Sequence, residues 1–324
     1  MIRGKQNVTP KKVVVIVGPN ASGKTKLAVA LARRFNGEII SADSRQVYRG
    51  MDIGTGKDLA AYGRQAKNAK RKTQNISVSH HLIDVVSPKT QFTVAKYQRL
   101  AYRAIDDILR RRKLPIICGG TGLYVDAVVQ GYQLPEFRIS NFEFRKLREQ
   151  LSRFSLPQLL ARLKSFDRVT FNGIDRYNRR RVQRALEIYY ASGKTKSEQL
   201  KKIPPAYDFL QLGVAVTKPV LYQRILRRLR KRFYKGMNAE VRRLHQLGIS
   251  WQKLDAFGLE YRWISRYLNG KISRQEMEQQ LLSDIKHYAR RQMTWFRRNC
   301  KIHWIITQRQ ANTMVQSFLN HEGE

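Results

Sequence analysis

The feature that most constrains this chain is a glycine-rich stretch near its start that fits G-x-x-x-x-G-K-[ST], the pattern of a phosphate-binding loop. Its residues, called the phosphate loop below, are Gly18, Pro19, Asn20, Ala21, Ser22, Gly23, Lys24 and Thr25. A β-prone run, Val13 to Val17, precedes the loop, and residues of high helix propensity follow it. This order of strand, loop and helix predicts an α/β fold with an anion site at the loop.

Each part of the phosphate loop has a physical role. Gly18 and Gly23 allow the backbone to turn tightly and to point its N–H groups at an anion, and the helix that follows adds its positive end. Lys24 supplies a mobile positive charge, and the Thr25 hydroxyl is placed to ligate Mg²⁺. The alternative is a plain glycine turn. The loop alone does not say which phosphates it binds, or whether a phosphoryl group is transferred.

The charge of the chain points to a polyanionic partner. Lys and Arg number 63 and Asp and Glu number 24, so the formal net charge is +39. Nucleic acid is the first candidate and an anionic membrane surface the second, because a charge that serves solubility alone is far smaller. No long apolar run predicts a membrane span. The two cysteines, Cys118 and Cys300, argue against a disulfide framework or a cysteine zinc site, and we expect a cytoplasmic protein.

Alternating strand and helix patterns predict a parallel sheet flanked by helices, of the P-loop NTPase-like type. The predicted strands are Val13–Val17, Glu38–Ala42, His80–Val86, Leu114–Cys118, Phe209–Val216 and Lys301–Thr307. Residues 136–206 lack β-rich runs and are predicted to form a helical insertion domain, so the α/β core comprises residues 1–135 and 207–324. The polar, basic segment 62–79 is predicted to be a mobile insertion.

Two further segments follow the ends of predicted strands. Asp43 comes directly after the second strand, and ligands of parallel α/β sheets bind at the carboxyl ends of the strands. A carboxylate beside a phosphate loop is placed for chemistry or for a metal, although Asp43 could also act as a helix cap. The segment Gly119 to Tyr124 is a second glycine-rich turn, which is weak evidence by itself because close helix packing also needs glycine.

Two predicted helices carry rows of cations. In the insertion, Arg180 and Arg184 lie four residues apart on one helical face, for which we favour phosphate contact over a merely solvated surface. In the core, the helix predicted from Pro219 to Lys235 carries a stripe formed by Arg224, Arg228, Lys231 and Lys235.

Together these motifs resemble the tRNA dimethylallyltransferases (tRNA isopentenyltransferases), in the family's order and over residues 13–305. The matching segments are the phosphate loop, Asp43 to Thr55, His80 to Pro88, Phe92 to Gln98, Gly119 to Tyr124, Arg181 to Ile188 and Tyr288 to Arg298. The chain departs from the family pattern at Asn20, where Thr is usual, at Ser79, where Pro is usual, and in the segment Phe257 to Arg262, which puts RNA contacts there in doubt. The lack of a C-terminal zinc finger of the eukaryotic type favours the bacterial type.

The resemblance implies that N6 of adenosine 37 in tRNA attacks C1 of dimethylallyl diphosphate and that diphosphate leaves. Asp43 would be the general base. The phosphate loop, Thr25 with Mg²⁺, and Arg224 would stabilise the departing diphosphate. Residues implied to contact tRNA are Asp43, Ser44, Arg45, Gln46 and Thr121 at the extruded base, and Arg180, Arg181, Val182, Gln183 and Arg184 on the anticodon arm. Tyr48 and Tyr124 could stack on bases or belong to the core.

Three alternatives stay open. The first is an adenylate isopentenyltransferase that acts on a free nucleotide, the second a P-loop small-molecule kinase, and the third an RNA-binding protein without activity. The favoured hypothesis predicts tRNA and dimethylallyl diphosphate as partners, no membrane association, and a monomer.

Overall fold

The computed structural model describes residues 11–63, 77–134, 140–199 and 202–321. Most of the predicted basic insertion, residues 64–76, lies outside the described residues, as does the stretch 135–139 at the predicted domain boundary. By its internal contacts the chain forms two compact units, Met1–Val125 with Ala206–Glu324, and Asp126–Pro205. The second unit begins earlier than the boundary predicted at residue 136.

In the described ranges one sheet of six strands forms the centre of the first unit. The strands are β1 (Lys11–Val17), β2 (Gly37–Ser41), β3 (His80–His81), β4 (Leu114–Gly119), β5 (Tyr207–Val214) and β6 (Ile302–Ile305). Their order is β3-β2-β4-β1-β5-β6, and every pairing is parallel. The predicted α/β class is confirmed.

Helices flank the sheet in the first unit and make up most of the second. In chain order they are α1 (Lys24–Arg34), α2 (Val94–Arg110), α3 (Gly122–Val129), α4 (Asn141–Ser152), α5 (Leu156–Phe166), α6 (Arg168–Gly173), α7 (Arg179–Ser192), α8 (Lys196–Gln199), α9 (Lys218–Tyr234), α10 (Met237–Gln246), α11 (Trp251–Phe257), α12 (Leu259–Leu268), α13 (Arg274–Phe296) and α14 (Gln308–Asn320). A short 3-10 helix spans Leu59–Tyr62. Among the described residues, no helix combines the length and the apolar character that a membrane span requires.

Strand β1 lies at the middle of the sheet because its residues are apolar on both faces. Val14 lies beside Ile116 of β4 and Leu210 of β5, and the run Val13–Val17 is fully buried. Since all strands run the same way, the segments after β1, β2 and β4 emerge at one edge. These segments contain the phosphate loop, Asp43 and the second glycine-rich turn, so the topology gathers the predicted site residues of the first unit.

The third strand is shorter than predicted. The run His80–Val86 was predicted to form a strand, but β3 ends at His81. Leu82 has φ 62° and Asp84 has φ 58°, values that an extended strand cannot contain. The Asp84 and Val85 amides instead donate to the Gln46 and Val47 carbonyls, so this segment serves the turn after β2.

The second unit has a core of its own, which helices α4, α5 and α7 share. Its fully buried or nearly buried side chains are Leu151, Leu159, Leu163, Val182, Ala185 and Leu186. Ser140 is the N-cap of α4 and Ser155 that of α5, each in a capping box in which the serine hydroxyl accepts the backbone N–H of the third helical residue. The sequence spacing of these apolar residues is therefore that of helices packed against one another.

Glu38, at the start of β2, is 2% exposed and is bound by three basic side chains. Arg111 donates to both carboxylate oxygens, Lys113 Nζ donates to Oε1 at 2.9 Å, and His81 Nε2 lies 2.8 Å from Oε2. The Arg111 hydrogen bonds hold the pKa of Glu38 well below its usual range. Because the folded state resists protonating Glu38, this stabilisation is complete above the ordinary glutamate pKa of about 4.3 and is lost as the pH falls below it.

We predict that Glu38→Gln lowers the free energy of unfolding at pH 7 by about 1.5–3 kcal/mol, because buried charge-assisted hydrogen bonds are lost. The difference from wild type should narrow as the pH falls below about 4. Urea titration followed by tryptophan fluorescence checks this, since all four tryptophans lie in the first unit. The exposed Glu278, paired with Arg274, gives the control Glu278→Gln, with a change of about 0.5 kcal/mol or less. A constant gap between Glu38→Gln and wild type down to pH 3 would contradict the assignment.

Candidate active site

The phosphate loop runs from the end of β1 to the second residue of α1 in a conformation that depends on positive φ angles. Gly18 has φ 152°, Ala21 has φ 66° and Gly23 has φ 103°. Lys24 is half buried, and its Nζ donates to the Pro19 carbonyl at 3.0 Å, across the loop. Loss of solvation lowers the pKa of the Lys24 ammonium. The loop therefore holds a cation in place and turns its backbone toward an anion.

Two further groups of the loop region face the same space. The Ser22 side chain is 3% exposed, and its hydroxyl has no hydrogen-bond partner within the described ranges. An orphaned buried hydroxyl costs free energy unless a ligand completes it. Arg224 on α9 donates from a guanidinium nitrogen to the Ser22 carbonyl at 3.2 Å. Arg224, which was predicted to stabilise the diphosphate together with the loop, thus contacts the loop directly.

The phosphate loop lines one wall of a cleft of about 1340 Å³, and cations of α9 line another. These cations are Arg224, Arg227, Arg228, Lys231, Arg232 and Lys235. The same cleft contains the hydroxyl residue Thr25 and the carboxylates of Asp52 and Asp58. The predicted stripe on α9 therefore faces the loop, and Arg227 and Arg232 join it.

The oxygen ligands of the cleft suit a magnesium ion. Mg²⁺ binds oxygen ligands, keeps several waters and shares substrate phosphates, so it needs few protein groups. Thr25, Asp52 and Asp58 line the phosphate loop's cleft and would be the residues to hold such an ion, although Asp52 Oδ1 already accepts from Lys57 Nζ at 2.8 Å. In the part of the chain that the structure describes, no cluster of three or more His, Cys, Asp or Glu side chains forms a dedicated metal cage.

Asp43 follows β2 and is half buried. Its Oδ1 accepts hydrogen bonds from the Arg45 amide at 2.8 Å and the Gln46 amide at 3.3 Å. Residues 44–47 form a turn and not a helix, so the helix-cap alternative is wrong, and Oδ1 stabilises that turn instead. Within the described ranges, no donor bonds to Oδ2, so this second oxygen is available to a ligand.

Thr121 fixes the backbone on both sides of Asp43. Its amide donates to the Ala42 carbonyl at 3.1 Å, and its hydroxyl accepts from the Ser44 amide at 3.0 Å. The approach is close because Gly119 lacks a side chain; a Cβ there would lie 2.2 Å from the Ala42 carbonyl oxygen. The structure thus brings Thr121 and Ser44 to the residue predicted to be the base. Thr121 therefore positions the backbone around Asp43, a role that the sequence analysis did not predict.

The two tyrosines with open alternatives belong to the core. Tyr48 is 6% exposed and packs against Phe257, with ring centroids 5.0 Å apart. Tyr124 is 5% exposed and stacks on Tyr97 at 4.1 Å. Arg45 lies over the outer side of Phe257, with its guanidinium carbon 5.6 Å from the ring centroid. Phe257, the first residue of the altered segment, therefore packs against Tyr48 and Arg45 of the turn after β2.

The loop from Asp52 to Gly54 is held by a residue that sequence reasoning missed. The buried carboxylate of Glu240 accepts the amides of Asp52, Ile53 and Gly54 at 2.7–3.0 Å and the Tyr261 hydroxyl at 2.8 Å. Nothing in the local sequence marks Glu240, because its partners are distant in the chain.

The predicted anticodon-arm residues lie on α7 of the second unit. Val182 is fully buried, and its side chain packs in that unit's core with Leu186. Arg184 donates to Glu187 at 3.0 Å, and Gln183 donates to the Arg148 carbonyl at 3.2 Å. Arg180 and Arg181 are exposed, with Arg181 3.8 Å from the exposed Asp175. These two arginines are the members of the set with the greatest freedom to contact phosphates.

Comparison with known proteins places this chain among prenyl-transferring enzymes. The sequence model of the family described as IPP transferase matches residues 46–299, and that described as isopentenyl transferase matches residues 11–72. The tRNA dimethylallyltransferase 1 of Geotalea daltonii is 44% identical over 314 residues, covering 96% of this chain and 95% of the relative. The tRNA dimethylallyltransferase 1 of Hahella chejuensis is 42% identical over 296 residues, covering 90% and 91% of the two chains.

Solved structures give the same result. A tRNA isopentenylpyrophosphate transferase from Bacillus halodurans is 35% identical, with a TM-score of 0.67, and the match covers 95% of each chain. A eukaryotic dimethylallyltransferase acting on tRNA matches with a TM-score of 0.78, covering 96% of this chain and 80% of that chain. At 23% identity the second likeness concerns the fold alone.

We predict that Lys24→Met raises the dissociation constant for inorganic diphosphate with Mg²⁺ about 10- to 100-fold, because a charge-assisted hydrogen bond to the anion is lost. Isothermal titration calorimetry measures this. Arg33→Met, an exposed cation on the same helix, is the control and should leave the constant within twofold. Equal affinity in Lys24→Met and wild type would remove the phosphate loop from diphosphate binding.

Proposed function

The chain belongs to the IPP transferase family, and from that premise we propose that it transfers a dimethylallyl group from dimethylallyl diphosphate to N6 of adenosine 37 in tRNA. It is a tRNA-modifying prenyltransferase. The observation that supports the finer proposal is that Asp43 follows β2 and the phosphate loop follows β1 at the same edge of the sheet, with only β4 between these two strands. One segment holds a proton acceptor and the other an anion site, which is what displacement of diphosphate by an amine needs.

In the reaction, the N6 lone pair forms a bond to C1 of the donor while the C1–O bond breaks. The electron pair of that bond leaves with the diphosphate. The phosphate loop amides, Lys24 and Arg224 stabilise the charge that develops on the leaving oxygen. Mg²⁺, held by Thr25 and the donor oxygens, would add charge neutralisation at the diphosphate when bound. The Ser22 hydroxyl donates to the same anion and so gains the hydrogen-bond partner that it lacks among the described residues.

The proton of N6 goes to Asp43. An exocyclic amine is a poor nucleophile, and positioned proton acceptance contributes about 10²–10⁴-fold. The Oδ1 hydrogen bonds to the Arg45 and Gln46 amides fix the carboxylate, so Oδ2 is the acceptor. Thr121 holds the neighbouring backbone, which keeps this oxygen in one place.

The RNA must present an extruded base, and this requires contacts that offset the loss of stacking. The formal net charge of +39 supplies a strong attraction for the phosphate backbone. In this proposal Arg180 and Arg181 of α7 contact the anticodon stem-loop, and Ser44, Arg45 and Gln46 contact the adenosine. We propose that the enzyme acts as a monomer.

The direct test is incubation of the protein with Mg²⁺, dimethylallyl diphosphate and a tRNA that carries adenosines at positions 36 and 37, followed by nucleoside analysis. The expected product is a prenylated adenosine at position 37. Modification of free AMP with none in tRNA would favour an adenylate isopentenyltransferase. Phosphoryl transfer from ATP to a small alcohol, without prenylation, would favour a kinase.

We predict that Asp43→Asn lowers kcat about 10²–10⁴-fold, because asparagine keeps the hydrogen bonds from the Arg45 and Gln46 amides but does not accept the proton. Dissociation constants for tRNA and for inorganic diphosphate should stay within threefold. Single-turnover assays and filter binding give these quantities. The exposed Asp208 provides a control of equal charge change, Asp208→Asn, which should retain full turnover. Undiminished turnover in Asp43→Asn would exclude the carboxylate as base.

We also predict that tRNA affinity falls steeply as salt concentration rises, because bound phosphates release counterions. Replacing both Arg180 and Arg181 by Gln should reduce the slope of log K against log salt by about 1–2. The exposed arginines Arg34 and Arg309 give a double Gln control in the first unit, for which the slope should not change. An unchanged slope in the α7 variant would place the RNA elsewhere.

A further inference from the structure

One buried side chain bonds to both the phosphate loop and the second glycine-rich turn. Gln292, on the long helix α13, is 5% exposed. Its Oε1 accepts the Asn20 amide of the phosphate loop at 2.8 Å, and its Nε2 donates to the Gly120 carbonyl at 2.8 Å. The amide therefore uses its acceptor on one segment and its donor on the other.

The glycines around Gln292 show that these segments are closely packed. A Cβ on Gly120 would lie 2.3 Å from Gln292 Nε2 and 3.4 Å from the Gly18 carbonyl oxygen. At the first distance a Cβ at position 120 would displace the Gln292 amide. The space between the loop and the turn is therefore filled by the Gln292 amide.

From Gly120 the contacts continue directly to the proposed base. The next residue, Thr121, bonds to the backbone of Ala42 and Ser44, on either side of Asp43. The phosphate loop is thus linked to Asp43 through Gln292, Gly120 and Thr121. The two hydrogen bonds of Gln292 are each 2.8 Å long. The two hydrogen bonds of Thr121 join it to the residues before and after Asp43.

Neighbouring residues of α13 hold the same turn. A Cβ on Gly122 would lie 2.3 Å from the ring of Trp295, so the indole packs directly on that glycine. The Tyr288 side chain hydrogen-bonds to Thr121, and burial raises the pKa of the Tyr288 hydroxyl to about 12, so it stays a neutral partner. Tyr288, Gln292 and Trp295 are three to four residues apart and share a helical face. This face of α13 therefore runs along the second glycine-rich turn.

We propose that Gln292 is a positioning residue that sets the distance between the attacking amine and the allylic carbon. It does so by joining the loop that holds the diphosphate to the turn that holds Asp43. The inference rests on the proposed function, since the two segments carry the two reactants only if that function is right. A misplacement of about 1 Å between reactants can cost about 10²-fold in rate.

The test compares Gln292→Met, which fills similar space without hydrogen bonds, with wild type. The expected result is a kcat lower by about 10- to 100-fold, with dissociation constants for inorganic diphosphate and tRNA within threefold. Gln292→Glu keeps an acceptor for the Asn20 amide but loses the donor to Gly120, so its kcat should also fall. If Gln292→Met does not fold, the kcat of Gln292→Glu is the measurement that tests the proposal.

The matched control is Gln211→Met. Gln211 in β5 is 4% exposed and accepts a hydrogen bond from Asn299 at 3.0 Å, so it is a buried glutamine of the same unit without contact to either segment. Its variant should lose stability but keep kcat per folded molecule. A kcat within threefold of wild type in both Gln292 variants would overturn the proposal, as would a loss that matches the unfolded fraction.

A second measurement does not depend on turnover. In wild type, inorganic diphosphate with Mg²⁺ should slow hydrogen exchange in residues 42–46 and 119–121 as well as in the phosphate loop. In Gln292→Met the protection should stay confined to the loop. If wild type prenylates no tRNA but shows this coupling, the proposed function fails and the link stands. If wild type is active and both variants keep the coupling, the link fails and the function stands.

Discussion

The close approach of the β2 and β4 strand ends is the constraint on which the rest of the site depends. At Gly119 a single methyl group would lie 2.2 Å from the Ala42 carbonyl oxygen, so the two backbones touch directly. This contact lets Thr121 reach the amides and carbonyls around Asp43. Because β4 also pairs with β1, the same contact fixes Asp43 relative to the phosphate loop. The chemistry follows from backbone packing at one edge of a parallel sheet.

Charge is organised around this edge in two ways. Cations of α9 face the phosphate loop across a cleft, and one of them, Arg232, is paired with Glu260 at 2.6 Å. The carboxylates of Glu38 and Glu240 are instead buried, where Glu38 binds basic side chains and Glu240 binds backbone amides. The large positive charge is thus left to the surfaces that meet phosphate. A departing diphosphate and an RNA backbone are both ligands of that kind.

The sequence predicted the parts of the site that local chemistry marks. The phosphate loop has a fixed pattern, and Asp43 follows an apolar strand, so both could be found without a structure. Glu240 and Gln292 could not be found in this way, because their partners lie far away in the chain and their roles exist only after folding. The strand predicted over His80–Val86 failed for a related reason. Leu82 and Asp84 have positive φ, and the Asp84 and Val85 amides bond to carbonyls of the turn after β2, which the local sequence does not reveal.

The central claim is that the phosphate loop holds a leaving group that departs intact, and that no phosphoryl group is transferred. The measurement that tests it most directly is a single-turnover reaction with dimethylallyl diphosphate labelled with ³²P at both phosphates, with tRNA as acceptor. The account predicts labelled inorganic diphosphate in a 1:1 ratio to prenylated adenosine, with no label in the RNA. Labelled orthophosphate as the primary product, or label covalently bound to the acceptor, would contradict it.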